Sequence, residues 1–194
     1  MEDPDQSLLA AVAEGNESAL GELMERHQEK LFRFAYRFVR NDEDAAEIVS
    51  ETFVRVHRYA TSYRPKAKVV TWIYSIATNL CRDHHRREKR RRFLSLFSAP
   101  EKADGEAGAS LADRIADAGP SADESLLLSE RKSRVMALID DLPPKLKTAF
   151  LLNVLEEHSQ KECAEILGVT EKTIETRVYR ARQRLRDGMD RLQS

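Results

Sequence analysis

SQKECAEILGVTEKTIETRVYRARQRLR, Ser159 to Arg186, contains two helical patterns separated by a glycine. Ser159 suits an N-cap, since its hydroxyl can accept from a first-turn amide. Behind it, QKECAEIL turns Ala164, Ile166 and Leu167 inward. Gly168 permits a tight turn, and Thr170 caps a longer helix that starts at about Glu171. On that helix Ile174, Val178, Ala181, Leu185 and Met189 fall on one face at about 100° per residue. Lys172, Thr176, Tyr179 and Gln183 fall on the opposite face, flanked by Arg180. Two helices joined by a short glycine-containing turn make a helix-turn-helix. A face that mixes hydrogen-bonding groups with cations is what base edges and phosphates require. A merely solvated basic helix is the alternative, and the capped helix ahead of it favours the DNA-reading one.

Five of the fourteen residues Thr173–Arg186 are arginine, yet the chain of 194 residues has a formal net charge of −1. The charge is segregated. RDHHRREKRRR, Arg82 to Arg92, has seven basic residues against two acidic ones. Pro100 to Ser125 has seven acids against two bases and holds three of the seven glycines. Such a stretch buries too little apolar surface to offset the entropy of ordering it, so a flexible acidic linker is expected over 96–125. It separates an N-terminal module, 1–95, from a C-terminal module, 126–194. Local cation density, not the total charge, governs attraction to phosphate.

Both modules read as helical, so the expected class is all-α: a helical bundle and a helix-turn-helix domain. Glu17–Arg40 places Leu20, Leu23, Met24, Leu31, Phe34, Ala35 and Phe38 in one stripe. Asn41 and Asp42 supply an N-cap and first-turn acids for a helix with Ala45, Ile48, Val49, Phe53 and Val56 on one face. Pro65 in SYRPKAK interrupts, since it biases Arg64 toward extended backbone. A third helix starts near Val69, with Ile73, Ile76, Ala77 and Leu80 as its stripe, and runs into the basic block. A weaker helix near Pro4–Gly15 precedes all three. The C-terminal module opens with a helix over about Ser125–Asp141, and Pro144 suits the first turn of the next.

Other functions find little footing. The acidic start, MEDPDQSLLAAVAEG, lacks the basic region of a secretory signal, and no apolar run reaches membrane-spanning length. Cys81 and Cys163 lie far apart without metal-ligand spacing, which points to two reduced, buried thiols of a cytoplasmic protein. His84 and His85 are adjacent and diverge on a helix. No phosphate-cradling glycine loop, HExxH or GxSxG is present, so no catalytic residue, metal or cofactor is expected.

The chain resembles the bacterial extracytoplasmic-function sigma factors, which direct RNA polymerase to promoters. NDEDAAEIVSETFVRVHRY (Asn41–Tyr59) is similar to the family's polymerase-binding helix, and WIYSIATNLCRDHHRREKRR (Trp72–Arg91) to its promoter-melting helix. Leu142–Arg186 is similar to its DNA-binding domain. The resemblance implies that Asp44, Glu47, Ser50, Glu51 and Arg55 dock on core polymerase, whose β′ and β subunits are the implied partners. It assigns the −10 element to Tyr63, Arg64, Lys66, Lys68, Trp72, Asn79, Arg82, Arg86, Arg87 and Arg90. Asn79 would hydrogen-bond a base edge and the arginines would hold the backbone; Trp72 either stacks on DNA or belongs to the core. Lys172, Glu175, Thr176, Arg177, Tyr179, Arg180 and Gln183 would meet the −35 duplex, with Arg177 on phosphate or the helix flank and Tyr179 either on DNA or packed inward. Promoter DNA and an anti-sigma protein are further implied partners. A dimeric operator-binding regulator is the rival reading; it has no need of the basic block at Arg82–Arg92.

Overall fold

A computed structural model describes residues 3–95 and 133–193. The expected linker lies outside the described residues. The regular elements among the described residues are all helical, and they form two compact units, one on each side of that segment.

The first unit has four helices: α1 (Asp5–Ala13), α2 (Glu17–Val39), α3 (Asp42–Tyr59) and α4 (Val69–Ser95), with a 3-10 turn at Ala60–Ser62. Their ends follow the sequence. The Asn16 side chain accepts from Ala19 N–H to cap α2, and Asn41 accepts from Asp44 N–H at 2.9 Å to cap α3. Between them Arg40 takes a left-handed backbone, φ 60°, which closes α2 in two residues. Phe34, Leu23, Leu31, Val56, Val69 and Ile73 are fully enclosed, each contributing about 1.5–3 kcal/mol relative to exposure. Phe34 meets Tyr74 edge-on with ring centroids 5.4 Å apart.

The burial pattern departs from single stripes. Leu20, Met24, Val49, Ile76 and Leu80 are half-buried, while Ala19, Thr52, Thr71, Tyr74, Thr78 and Cys81 are buried. The reason is packing: α4 meets α1, α2 and α3 together, so its enclosed arc is wider than one face. On α3, Thr52 Oγ1 donates to Ile48 O at 2.7 Å, which removes the cost of enclosing its hydroxyl, whereas Thr71 and Thr78 Oγ1 of α4 are enclosed without a hydrogen-bond partner.

Among the described residues the second unit begins with α5 (residues 133–140); the start expected near Ser125 lies outside them. Next come α6 (Pro144–Phe150), which continues as a π turn over Leu151–Leu155, then α7 (Gln160–Leu167) and α8 (Glu171–Gln193). Pro144 is in the first turn of α6, as expected. Its core holds Ala149, Leu151, Leu152, Cys163, Ile174 and Ala181. Lys147, 8% exposed, pairs with Asp140 at 2.8 Å and ties α6 to α5. Leu185 is half-buried and Met189 is 44% exposed, against the expectation that both face inward. Late in α8 the buried position is Gly188 instead, where an added Cβ would lie 2.6 Å from Leu138 Cδ2. Contact with α5 at this glycine rotates the buried line away from Met189.

Candidate nucleic-acid interface

The helix-turn-helix is fixed by its ends. Ser159 and Glu162 form a reciprocal capping box: Glu162 N–H donates to Ser159 Oγ at 3.2 Å, and Ser159 N–H to Glu162 Oε2 at 2.9 Å. Gly168, φ 62°, makes the left-handed turn, and Thr170 Oγ1 accepts from Thr173 N–H at 3.2 Å to start α8. Ile174, Val178 and Ala181 anchor α8 to the core. The opposite face carries the expected candidates. Lys172, Glu175, Tyr179 and Arg180 are exposed, and Thr176, Arg177 and Gln183 are half-buried. Tyr179, 63% exposed, is not packed inward. Arg177 lies on the flank, with Nη1 enclosed.

These side chains are partly organised among themselves. Lys172 Nζ pairs with Glu175 Oε2 at 2.9 Å, and Gln183 Nε2 donates to Tyr179 OH at 3.0 Å. Thr176 Oγ1 donates to Lys172 O at 2.9 Å, so it presents its methyl and its remaining lone pairs outward. A groove of about 400 Å³ on one side of Tyr179 is lined also by Asn153 and Gln160. A second, of about 660 Å³, joins Arg180 and Arg184 to Lys145 and Leu146. Asn153, Gln160 and Lys145 were missed from sequence because they belong to other helices; only the fold brings them beside α8.

In the first unit the −10 candidates form a line. Trp72, Asn79 and Arg86 recur at heptad spacing along α4, with Arg82 and Arg90 one turn from their neighbours. Arg87 sits on the flank. Asn79, Arg86, Arg87 and Arg90 are exposed, and Arg82 is half-buried. Arg86 pairs with Asp83, so the basic block is partly neutralised within its own helix. The loop before α4 stands at the head of this line, with Arg64, Lys66 and Lys68 exposed. Trp72 is half-buried, its ring 5.3 Å from that of Tyr63. Tyr63 OH donates to Ala67 O at 2.6 Å and so closes the loop on itself. Burial pushes the Tyr63 phenol pKa up, the Asp3 carboxylate adds to the rise, and a Gln6 hydrogen bond opposes it.

On α3, Glu47 and Ser50 are exposed, and Glu51 and Arg55 pair at 2.7 Å. Asp44 is partly engaged within the unit, 3.2 Å from His84 Nε2 of α4. Sequence reasoning missed two neighbours, Val54 and Tyr59, each 48% exposed. The signal was available: Val54 lies seven residues after Glu47, on the polar face and off the buried stripe.

Among the described residues no group of three His, Cys, Asp or Glu could hold a metal ion, and no helix is long and apolar enough to cross a membrane.

Comparison with known proteins agrees with this geometry. Residues 23–91 match the model of Sigma-70 region 2, and residues 132–185 that of Sigma-70 region 4. The ECF RNA polymerase sigma factor SigE of Mycolicibacterium smegmatis is 33% identical over 90% of this chain, which spans 64% of SigE's length. RNA polymerase sigma factor CnrH of Cupriavidus metallidurans is 30% identical over 95% of this chain and 93% of its own. The solved structure of CnrH with the cytosolic domain of CnrY matches with a TM-score of 0.67 at 25% identity, covering 96% of this chain and 97% of that one. Two cationic helical faces, a region 2 and a region 4 in that order, and a relative, CnrH, matched over nearly its full length together place this chain in the ECF RNA polymerase sigma factors, which direct promoter-specific transcription.

Proposed function

We propose that the three surfaces divide the work of initiation. The exposed face of α3, with Glu47, Ser50, Glu51, Val54, Arg55 and Tyr59, docks on core polymerase. The 63–68 loop and α4 hold the −10 element: the loop and Trp72 edge receive an unstacked base, Asn79 meets a base edge, and Arg82, Arg86, Arg87 and Arg90 track the backbone. Taking a base out of the stack costs a few kcal/mol, which stacking and phosphate contacts can offset. The exposed face of α8 enters the major groove of the −35 element. An anti-sigma protein covers the docking surfaces until the programme is needed, in a cytoplasmic complex; CnrH, a relative, was solved with the cytosolic domain of CnrY.

The observation that carries this reading is the split of α8 into a buried apolar face and an opposite face with Lys172, Tyr179 and Arg180 exposed and Gln183 half-buried. The test is run-off transcription on genomic DNA with purified core polymerase. The expected result is a set of defined starts that need both proteins. Tight, dimeric operator binding by the chain alone, with no starts, would favour the repressor-like reading instead.

A further inference from the structure

One carboxylate serves two helix starts. Asp3 Oδ1 accepts from Asp5 N–H at 3.2 Å, in the first turn of α1. Its other oxygen, Oδ2, accepts from Val69 N–H at 2.6 Å, the first amide of α4, across 66 positions of sequence. Initial amides of a helix have no intrahelical acceptor, and the helix dipole favours an anion there. Both conditions are met twice by this one side chain.

The segment bearing Asp3 is itself pinned. Leu9 and Val12 are buried, at 1% and 3% exposure. Asp5, 6% exposed, binds Arg26 Nη1 at 2.9 Å and His27 Nε2 at 2.7 Å, which locks α1 to α2. One helical turn on from Asp3, Gln6 lies near enough to the Tyr63 phenol to oppose the rise of its pKa. Tyr63 in turn closes the loop on Ala67 O and packs on Trp72. The path from the α2 core to the loop therefore runs through α1, which precedes the residues matched to region 2.

We infer that the N-terminal segment is a positioning device for strand opening: Asp3 fixes the first turn of α4 and thereby the shape of the 63–68 loop. Asp3 touches no DNA in this account; it acts through the loop and Trp72. The inference rests on the −10 role proposed above for that loop.

The test uses the full-length chain with core polymerase and a promoter found by run-off transcription. Amide exchange of the first turn of α4 is measured beside open-complex formation, read by permanganate reactivity of unpaired thymines. Asp3→Ala is expected to raise exchange at Val69, whose amide it caps, and at Trp72, whose amide bonds Lys68 O, and to slow opening, each by about tenfold, the size of a lost cap. Affinity for polymerase should stay within about twofold, below the cost of a lost interface contact. Asp3→Asn keeps one acceptor oxygen and turns an NH2 donor toward the other amide N–H, so it can serve one start only and should fall between Asp3→Ala and the parent in both readouts. Asp3→Ser has one oxygen, cannot serve both starts, and should still cap α1; it guards against a variant that merely unfolds that helix, and should open as slowly as Asp3→Ala. Unchanged exchange, or raised exchange with wild-type opening, would overturn the inference. If the wild-type chain starts no transcript with polymerase, the functional reading fails and the inference with it, while the exchange arm still reports whether the cap exists.

Discussion

Cys163 and Lys147 show how far a single side chain can be read. Cys163 is enclosed at 0% exposure. Burial, with the Glu162 carboxylate nearby, pushes its thiol up from 9.0 to about 12. The folded protein thus keeps a proton that the unfolded chain gives up first. This group's contribution is complete below about pH 9 and declines as pH rises toward about 12. Urea unfolding of Cys163→Ala should show a shallower alkaline loss of stability than the parent. Lys147 poses a different case, because its ammonium is nearly enclosed beside Asp140. Removing the acid deprives a nearly enclosed cation of this charged partner, whereas Lys147→Met removes the charge along with the need for it. Asp140→Ala is expected to cost about 2 kcal/mol and Lys147→Met less, as measured by chemical denaturation. In the sequence Lys147 is one of two lysines near the start of α6, alike in type and setting. Nothing local distinguishes an enclosed lysine from a solvated one, because its partner lies on another helix.

At the scale of elements, the helix ends were legible and the buried arcs were not. Asn41, Ser159, Gly168 and Thr170 act through bonds a few residues long, so local sequence suffices to place them. The cap on α4 comes from Asp3, and no local rule finds an acceptor 66 positions away. The polar faces of α3 and α8 were legible as periodic patterns, but Val54 and Tyr59 were passed over because the candidates on α3 were chosen among its acids and polar groups. Those faces give a paired prediction. Arg180→Ala should weaken binding of −35 duplex by about 1–3 kcal/mol while sparing polymerase affinity. Val54→Asp should do the reverse, lowering polymerase affinity by about 2 kcal/mol or more with duplex binding intact. Fluorescence anisotropy with labelled DNA and with labelled polymerase separates the two. Equal losses in both assays from either change would mean that the variant had merely unfolded.

For the whole molecule, two cores form from one chain because its apolar periodicity is interrupted by an acidic, glycine-bearing stretch. The division into two units was legible in composition alone. Each unit encloses its own large side chains, Phe34 and Leu23 in one, Leu151 and Ile174 in the other. Phe34→Ala should therefore cost the first unit about 3–5 kcal/mol. Amide exchange should rise in α2 and α4 and stay near parental values in α7 and α8. A uniform rise across both units would show that they unfold as one.

The sequence contains two cysteines, and each is sealed within a helical core at 0% exposure. No thiol stands at the surface where peroxide or a mixed disulfide could reach it. The molecule is thus poorly equipped to sense an oxidant through its own thiols. Where oxidation governs its programme, another molecule must undergo the redox change and convey it through a gained or lost contact.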